Sequence, residues 1–182
     1  MADLSGKHIA MLVHDFFEQA EYVGPKEKLE AAGATVHTIT ATDQTEVHGL
    51  NHVEKADTFP VDLQLDSAQF TDYDALVLPG GAINADNLRM TPKAREWVKT
   101  FLDEDKPVAA VCHAPWLLAS ADVINGRQLT SFFTIQDDLR NAGATWTDES
   151  VVTDGSLITS RNPDDVPVFS AAIIDMLGKG DR

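Results

Sequence analysis

The stretch KPVAAVCHAPWLLAS, residues 106–120, sets a run of small and β-branched apolar residues against an abrupt Cys-His-Ala-Pro break, followed by an apolar helical pattern. A short apolar run of this length reads as a strand buried on both faces, which is the habit of parallel sheets. The same pattern recurs on either side. KHIAMLV (7–13) and ALVLPGG (75–81) are buried strands, and TVHTIT (35–40) is a β-branched, alternating one. Helix signals lie between them. GPKEKLEAAGA places Pro25 near a helix start and Gly33 at its stop, and TPKAREWVKTFLDED (91–105) offers Thr91 as N-cap with Pro92 at the first turn. IQDDLRNAGA reads as a helix ending at Gly143, and DVPVFSAAIIDML as a terminal helix. ESVVTDGSLITS (149–160) reads as a hairpin with Asp154-Gly155 as its two-residue turn. Residues 42–70 suggest a small antiparallel excursion around TEVHGL, then an extended stretch with Pro60.

Apolar strands alternating with helices imply an α/β protein with a mostly parallel sheet covered on both faces. The expectation is a flavodoxin-like, doubly wound sandwich of one domain, residues 1–182, with the strands at 7–13, 75–78 and 107–111 as neighbours. Ligands of such sheets bind at the carboxyl ends of the strands. Three loops therefore converge there: HDFFEQAE (14–21), PGGAINAD (79–86) and CHAPW (112–116).

Composition narrows the partners. The chain has 182 residues, a formal net charge of −15, and one cysteine, so it has no intramolecular disulfide. The acidic balance argues against nucleic acid, whose phosphates need clustered Lys and Arg. It favours solubility and an unusual ionic environment. MADLSGKHIAMLV has neither a basic segment followed by a long apolar run nor a membrane span, so a soluble, cytoplasmic protein is expected. His8, His37, His48 and His52 show no metal-ligand spacing and read as surface or packing residues; no metal or cofactor is expected.

The three loops carry the chemistry. Ala110 and Ala114 flank Cys112 two residues before and after, as a nucleophile elbow requires. A position ahead of a helix would favour thiolate, and His113 would add a general base or a positive charge. A buried cysteine closing a strand would also fit the local pattern. Gly80 and Gly81 free the backbone for close approach, and an oxyanion donor is the natural role. Glu18 stands in an otherwise apolar loop, where burial would raise its pKa and let it donate to the sulfur; a solvated carboxylate or helix cap fits as well. Asp86 could orient His113, and His14 could line the crevice.

ALVLPGG, KPVAAVCHAPWLLASADVINGRQLTS, DDLRNAGATW and VVTDGSLITSRNPDDVPVF together resemble the PfpI family, part of the ThiJ and parkinsonism-associated deglycase superfamily, from about Lys7 to about Ser170. The resemblance implies that Cys112 is the elbow cysteine, His113 its neighbour, and Glu18 the carboxyl touching the thiol. It implies that Asp86 orients the histidine across a subunit interface, in a homodimer or higher oligomer, and that Gly81 and the His113 backbone are oxyanion donors. The family usually reads Cys-His-Gly-Pro, where this chain has Ala114. The expected function is a stress-related, cofactor-independent cysteine enzyme acting on small carbonyl compounds or their protein adducts. The alternatives are an intracellular cysteine peptidase acting on peptides and a non-enzymatic redox sensor whose cysteine oxidises. An amidotransferase is disfavoured, because its triad draws a histidine from near the C-terminus and SRNPDDVPVF has none.

Overall fold

A computed structural model describes residues 2–179. In chain order its elements are β1 (His8–Val13), β2 (Phe17–Glu18), α1 (Gln19–Ala31), β3 (Thr35–Thr40), β4 (Glu46–Asn51), β5 (Glu54–Pro60), β6 (Leu63–Gln64), β7 (Ala75–Leu78) and α2 (Ala82–Leu88). There follow α3 (Pro92–Asp103), β8 (Val108–Val111), α4 (Pro115–Ser120), β9 (Gln128–Leu129), α5 (Gln136–Asn141), β10 (Thr145–Trp146), β11 (Val151–Asp154), β12 (Leu157–Ser160) and α6 (Val166–Lys179). The main sheet runs β11-β12-β8-β7-β1-β3-β6, parallel except for β11. β1, β7 and β8 are adjacent at its centre, as the apolar runs imply.

Alternation along these strands divides the interior into two cores. Ala10, Leu12, Leu76, Leu78, Val108 and Ala110 face α3, α4 and α5 through Trp97, Phe101, Leu117 and Leu139. Ile9, Met11, Val13, Val77, Ala109 and Val111 face α1 and α6 through Tyr22, Leu29, Phe169 and Ile173. Each fully buried side chain of this kind contributes about 1.5–3 kcal/mol, so the central strands are held from both faces.

Two local expectations are corrected. Pro25 lies inside α1 rather than near its start, because the helix already begins at Gln19 with Glu18 as its N-cap residue. Asp154 pairs with Leu157, so the hairpin turn is Gly155-Ser156, one residue later than expected. Gly155 supplies the positive φ (59°) that the first central position of such a turn requires. The excursion after β3 is an antiparallel hairpin of β4 and β5 that β2 joins to make a second, three-stranded sheet.

Candidate active site

Cys112 directly follows β8 with φ of 64°, a left-handed conformation that costs a side chain about 1–2 kcal/mol. Backbone bonds on both sides impose it. The Cys112 N–H donates to the Ser160 carbonyl at 3.0 Å, and the Cys112 carbonyl accepts from the Phe132 N–H at 2.8 Å. Ala110 and Ala114 are buried against the turn. Ala114 has φ of −56° and ψ of −31°, ordinary helical values, so the position that usually holds glycine in the family pattern needs none here. The sulfur residue is 6% exposed, and α4 behind it has only six residues, too short to offer a strong dipole.

The carboxyl group at the thiol is Glu21, and the assignment of that contact to Glu18 is corrected. Glu21 is fully buried beside the Cys112 thiol and the Gly80 backbone, and neither of its oxygens makes a well-formed hydrogen bond among the described residues. Burial, reinforced by the nearby Glu18 carboxylate, pushes its pKa up to about 8. At neutral pH Glu21 is therefore mostly a carboxylic acid. Glu18 lies one helical turn earlier and borders the same cavity, 9% exposed. Its side chain does not cap α1; it accepts the backbone N–H of His52 at 3.1 and 3.4 Å.

The thiol is not primed as a free thiolate. Burial pushes its pKa up and a charged Glu21 pushes it further, against the backbone N–H groups of Gly81 and His113, which pull it down. His113 Nδ1 is 3.2 Å from Cys112 Sγ. Burial holds the imidazole below its usual range, so at neutral pH it is an uncharged base rather than a positive charge. Its ring stacks on Phe132 with centroids 5.0 Å apart, and Nε2 lies 3.5 Å from Thr134 Oγ1. Within one chain those groups orient it, not Asp86, which is exposed on α2.

Gly80 and Gly81 let β7 end against the elbow. A Cβ on Gly80 would collide with Glu21 and come within 2.6 Å of Cys112 Cβ; one on Gly81, whose φ is 90°, would come within 2.6 Å of the Glu18 nitrogen. Gly81, Glu18, Glu21, Cys112 and His113 border a cavity of about 410 Å³, walled on its apolar side by Phe16, Leu50, Val53, Ile83 and Phe132. His14 does not reach it. It faces a neighbouring hollow of about 320 Å³ with Asp15 and Thr42, separated by Phe16 and Ile83, which border both.

The tip of the β4–β5 hairpin is a part of the site that sequence reading missed. Leu50, His52 and Val53 cover the cavity, and His52 adopts φ of 57° to turn there. The available signal is the Asn51-His52 pair between two strand-like runs, a turn composition, although His52 by itself reads only as a histidine without metal-ligand spacing. His48, on the same hairpin, packs as expected: its Nδ1 is 3.1 Å from Asp15 Oδ1, and its ring stacks on Phe16.

Three comparisons bear on this constellation. The model of the DJ-1/PfpI family matches residues 7–176. An uncharacterized protein of Staphylococcus aureus (strain MRSA252) is 41% identical over 94% of this chain and 98% of its own length. A Bacillus subtilis (strain 168) protein, provisionally named cysteine protease YraA, is 38% identical over 94% of this chain and 98% of its own. Among solved structures, a two-domain protein of Anabaena variabilis with DJ-1/ThiJ/PfpI-like and ferritin-like domains superposes with a TM-score of 0.89 at 35% identity. The match covers 94% of this chain and 48% of that one, so the chain spans about half of the Anabaena protein. Drosophila melanogaster DJ-1beta superposes with a TM-score of 0.86 at 26% identity, covering 94% of this chain and 90% of its own.

Proposed function

The chain belongs to the DJ-1/PfpI family, and from that premise we propose that it is a cysteine-dependent enzyme acting on small reactive carbonyl compounds or their adducts. One observation carries the reading: a single buried thiol lies between an uncharged imidazole and a protonated carboxyl group, at the floor of a small cavity. With a 2-oxoaldehyde, Sγ bonds to the aldehyde carbon while the thiol proton passes to His113 Nδ1 and the carbonyl electron pair moves to oxygen. The Gly81 and His113 N–H groups, which face the sulfur, are the nearest donors to that oxyanion. His113 returns the proton, giving a hemithioacetal. It then removes the hydrogen on carbon as Glu21 protonates the adjacent carbonyl oxygen, giving an enediol. His113 delivers its proton to the second carbon, and Glu21 recovers one from the first hydroxyl, leaving a thioester. Water hydrolyses the thioester to a 2-hydroxy acid and frees the thiol. The sum is dicarbonyl plus water, with no external electron donor or acceptor.

Peptide hydrolysis by the same thiol is the second reading, favoured by the name of the Bacillus relative. A cavity of about 410 Å³ under a hairpin suits a small molecule better than an extended chain. Homo-oligomerisation belongs to the same proposal. Ile83 is 49% exposed and Val53 90%, apolar positions at the cavity mouth that a second copy would cover, and Asp86 lies on the same helix as Ile83. Sedimentation of a fully active monomer would remove the shared-site version.

The test is loss of methylglyoxal and of peptide substrates with wild type and Cys112→Ala, against a free-thiol blank. Cys112→Ala should abolish turnover, and His113→Ala should lower it about 10²–10⁴-fold, the usual worth of a positioned base. Wild-type rates in Cys112→Ala would sink the assignment.

A further inference from the structure

Glu18 is a buried carboxylate with little to satisfy it. An ionised carboxyl group offers about four acceptor positions. Here one N–H, that of His52, meets both oxygens at 3.1 and 3.4 Å. The side chain makes no bond to the helix it precedes, is 9% exposed, and borders the cavity above Cys112. Among the described residues that line this cavity none is lysine or arginine, and its other acid, Glu21, is mostly protonated at neutral pH. Among the described residues, His52 and His113 are the titratable nitrogen side chains that line it. A desolvated anion without a cation is costly, and a ligand that brings a donor or positive charge relieves that cost. A ligand that brings a second negative charge adds repulsion in a region where water screens it little.

We propose that Glu18 is a specificity-determining residue, a charge filter that admits carbonyl compounds bearing an ammonium, guanidinium or hydroxyl donor near the reacting carbon and rejects oxo-carboxylates. The proposal rests on the carbonyl reading of this site but adds to it a substrate class. The donor would bond to Glu18 while the carbonyl carbon lies over Cys112, so Glu18 touches the substrate without joining the proton transfers.

The test reads the filter first without turnover. The chain has one cysteine, so methanethiosulfonate reagents label Cys112 alone. Ethylammonium, methyl and ethylsulfonate versions are compared in wild type, Glu18→Gln and Glu18→Asp, each rate divided by that with a free small thiol. In wild type the cationic reagent should outrun the anionic one. Glu18→Gln, which keeps an acceptor for the His52 N–H, should shrink that ratio roughly tenfold, and Glu18→Asp should keep most of it. A ratio unchanged in Glu18→Gln, with the variant folded by thermal unfolding, overturns the proposal. The second reading is kcat/KM for methylglyoxal against 4,5-dioxovalerate, a 2-oxoaldehyde that also carries a carboxylate. Glu18→Gln should narrow the preference mainly by improving the carboxylated substrate, and an unaltered preference also overturns the proposal. If labelling responds but wild type turns over no carbonyl, the filter stands and the enzymatic reading fails.

Discussion

Glu21 holds a proton in the native state that the unfolded chain loses, because burial lifts its pKa from 4.5 to about 8. Stability from this group therefore falls as pH rises from about 4.5 to about 8, and is level above that range. Glu21→Gln removes the penalty. Measured by denaturant titration, the variant should match wild type below pH 4.5 and exceed it by on the order of 3–5 kcal/mol at pH 9, while losing activity. The same substitution removes the repulsion on the sulfur, so the alkylation midpoint of Cys112 should move down. Cys112 and His113 were legible in the sequence because an elbow constrains its own neighbours: Ala110 and Ala114 had to be small. Glu21 was not. Glu18 and Glu21 stand one turn apart, and which of them meets the sulfur depends on where α1 begins. Pro25 is a helix-start signal in isolation, and it hides the turn and a half of helix that precedes it.

The adjacency of β1, β7 and β8 was readable from their elements, since buried parallel strands are continuous apolar runs that turn signals delimit. The β4–β5 hairpin was legible only in outline, because β5 (EKADTFP) is almost wholly exposed and carries no alternation to read. That exposure also sets how the hairpin is held. Gln19 donates from Nε2 to Asp57 Oδ2 at 2.7 Å and accepts the Asp57 N–H at 2.8 Å, a two-way clasp on the outer strand. Gly49 leaves room for it, since a Cβ there would come within 2.6 Å of the Gln19 side chain. Gln19→Ala should speed hydrogen exchange across β5, with β1, β7 and β8 unchanged and global stability lowered by less than about 1 kcal/mol. At the end of β7 the expectation is harsher. Gly80→Ala meets Cys112 Cβ and the Val111 carbonyl at 2.6 and 2.7 Å, backbone and elbow atoms that cannot swing aside. It should cost about 2 kcal/mol or more in a melt and displace the thiol from the cavity. Gly126→Ala, with nothing within 4 Å of the added carbon, should cost only the strain of its φ of 79°, about 1 kcal/mol.

A formal net charge of −15 on 182 residues makes the whole molecule repel itself, since 29 Asp and Glu face 14 Lys and Arg. Arg161, bridging Asp165 and Asp148, is a local exception. Salt shortens the screening length from about 30 Å at 0.01 M to about 3 Å at 1 M. Raising NaCl across that range should lift the melting temperature by roughly 3–6 °C, as calorimetry would record, and an uncharged osmolyte at equal water activity should not reproduce the salt-specific part. Among the described residues no helix is long and apolar enough to cross a membrane. The bonds that shape the elbow also have an order in time. Cys112 takes its backbone partners from Phe132 and Ser160, residues made after it, while Glu21 and the Gly80–Gly81 turn are made before. On the ribosome the acid therefore waits for its sulfur, and the sulfur waits for its fold. Until Ser160 has left the exit tunnel the thiol hangs on an unclosed strand, open to any oxidant or aldehyde it meets. Chains stalled at residue 170, with Cys112 outside the tunnel and Ser160 still within it, should be alkylated at the rate of a small-molecule thiol, and chains stalled roughly 40 residues beyond Ser160 on a C-terminal extension should be protected. A protein that shelters its one thiol by folding passes its own synthesis with that thiol unsheltered.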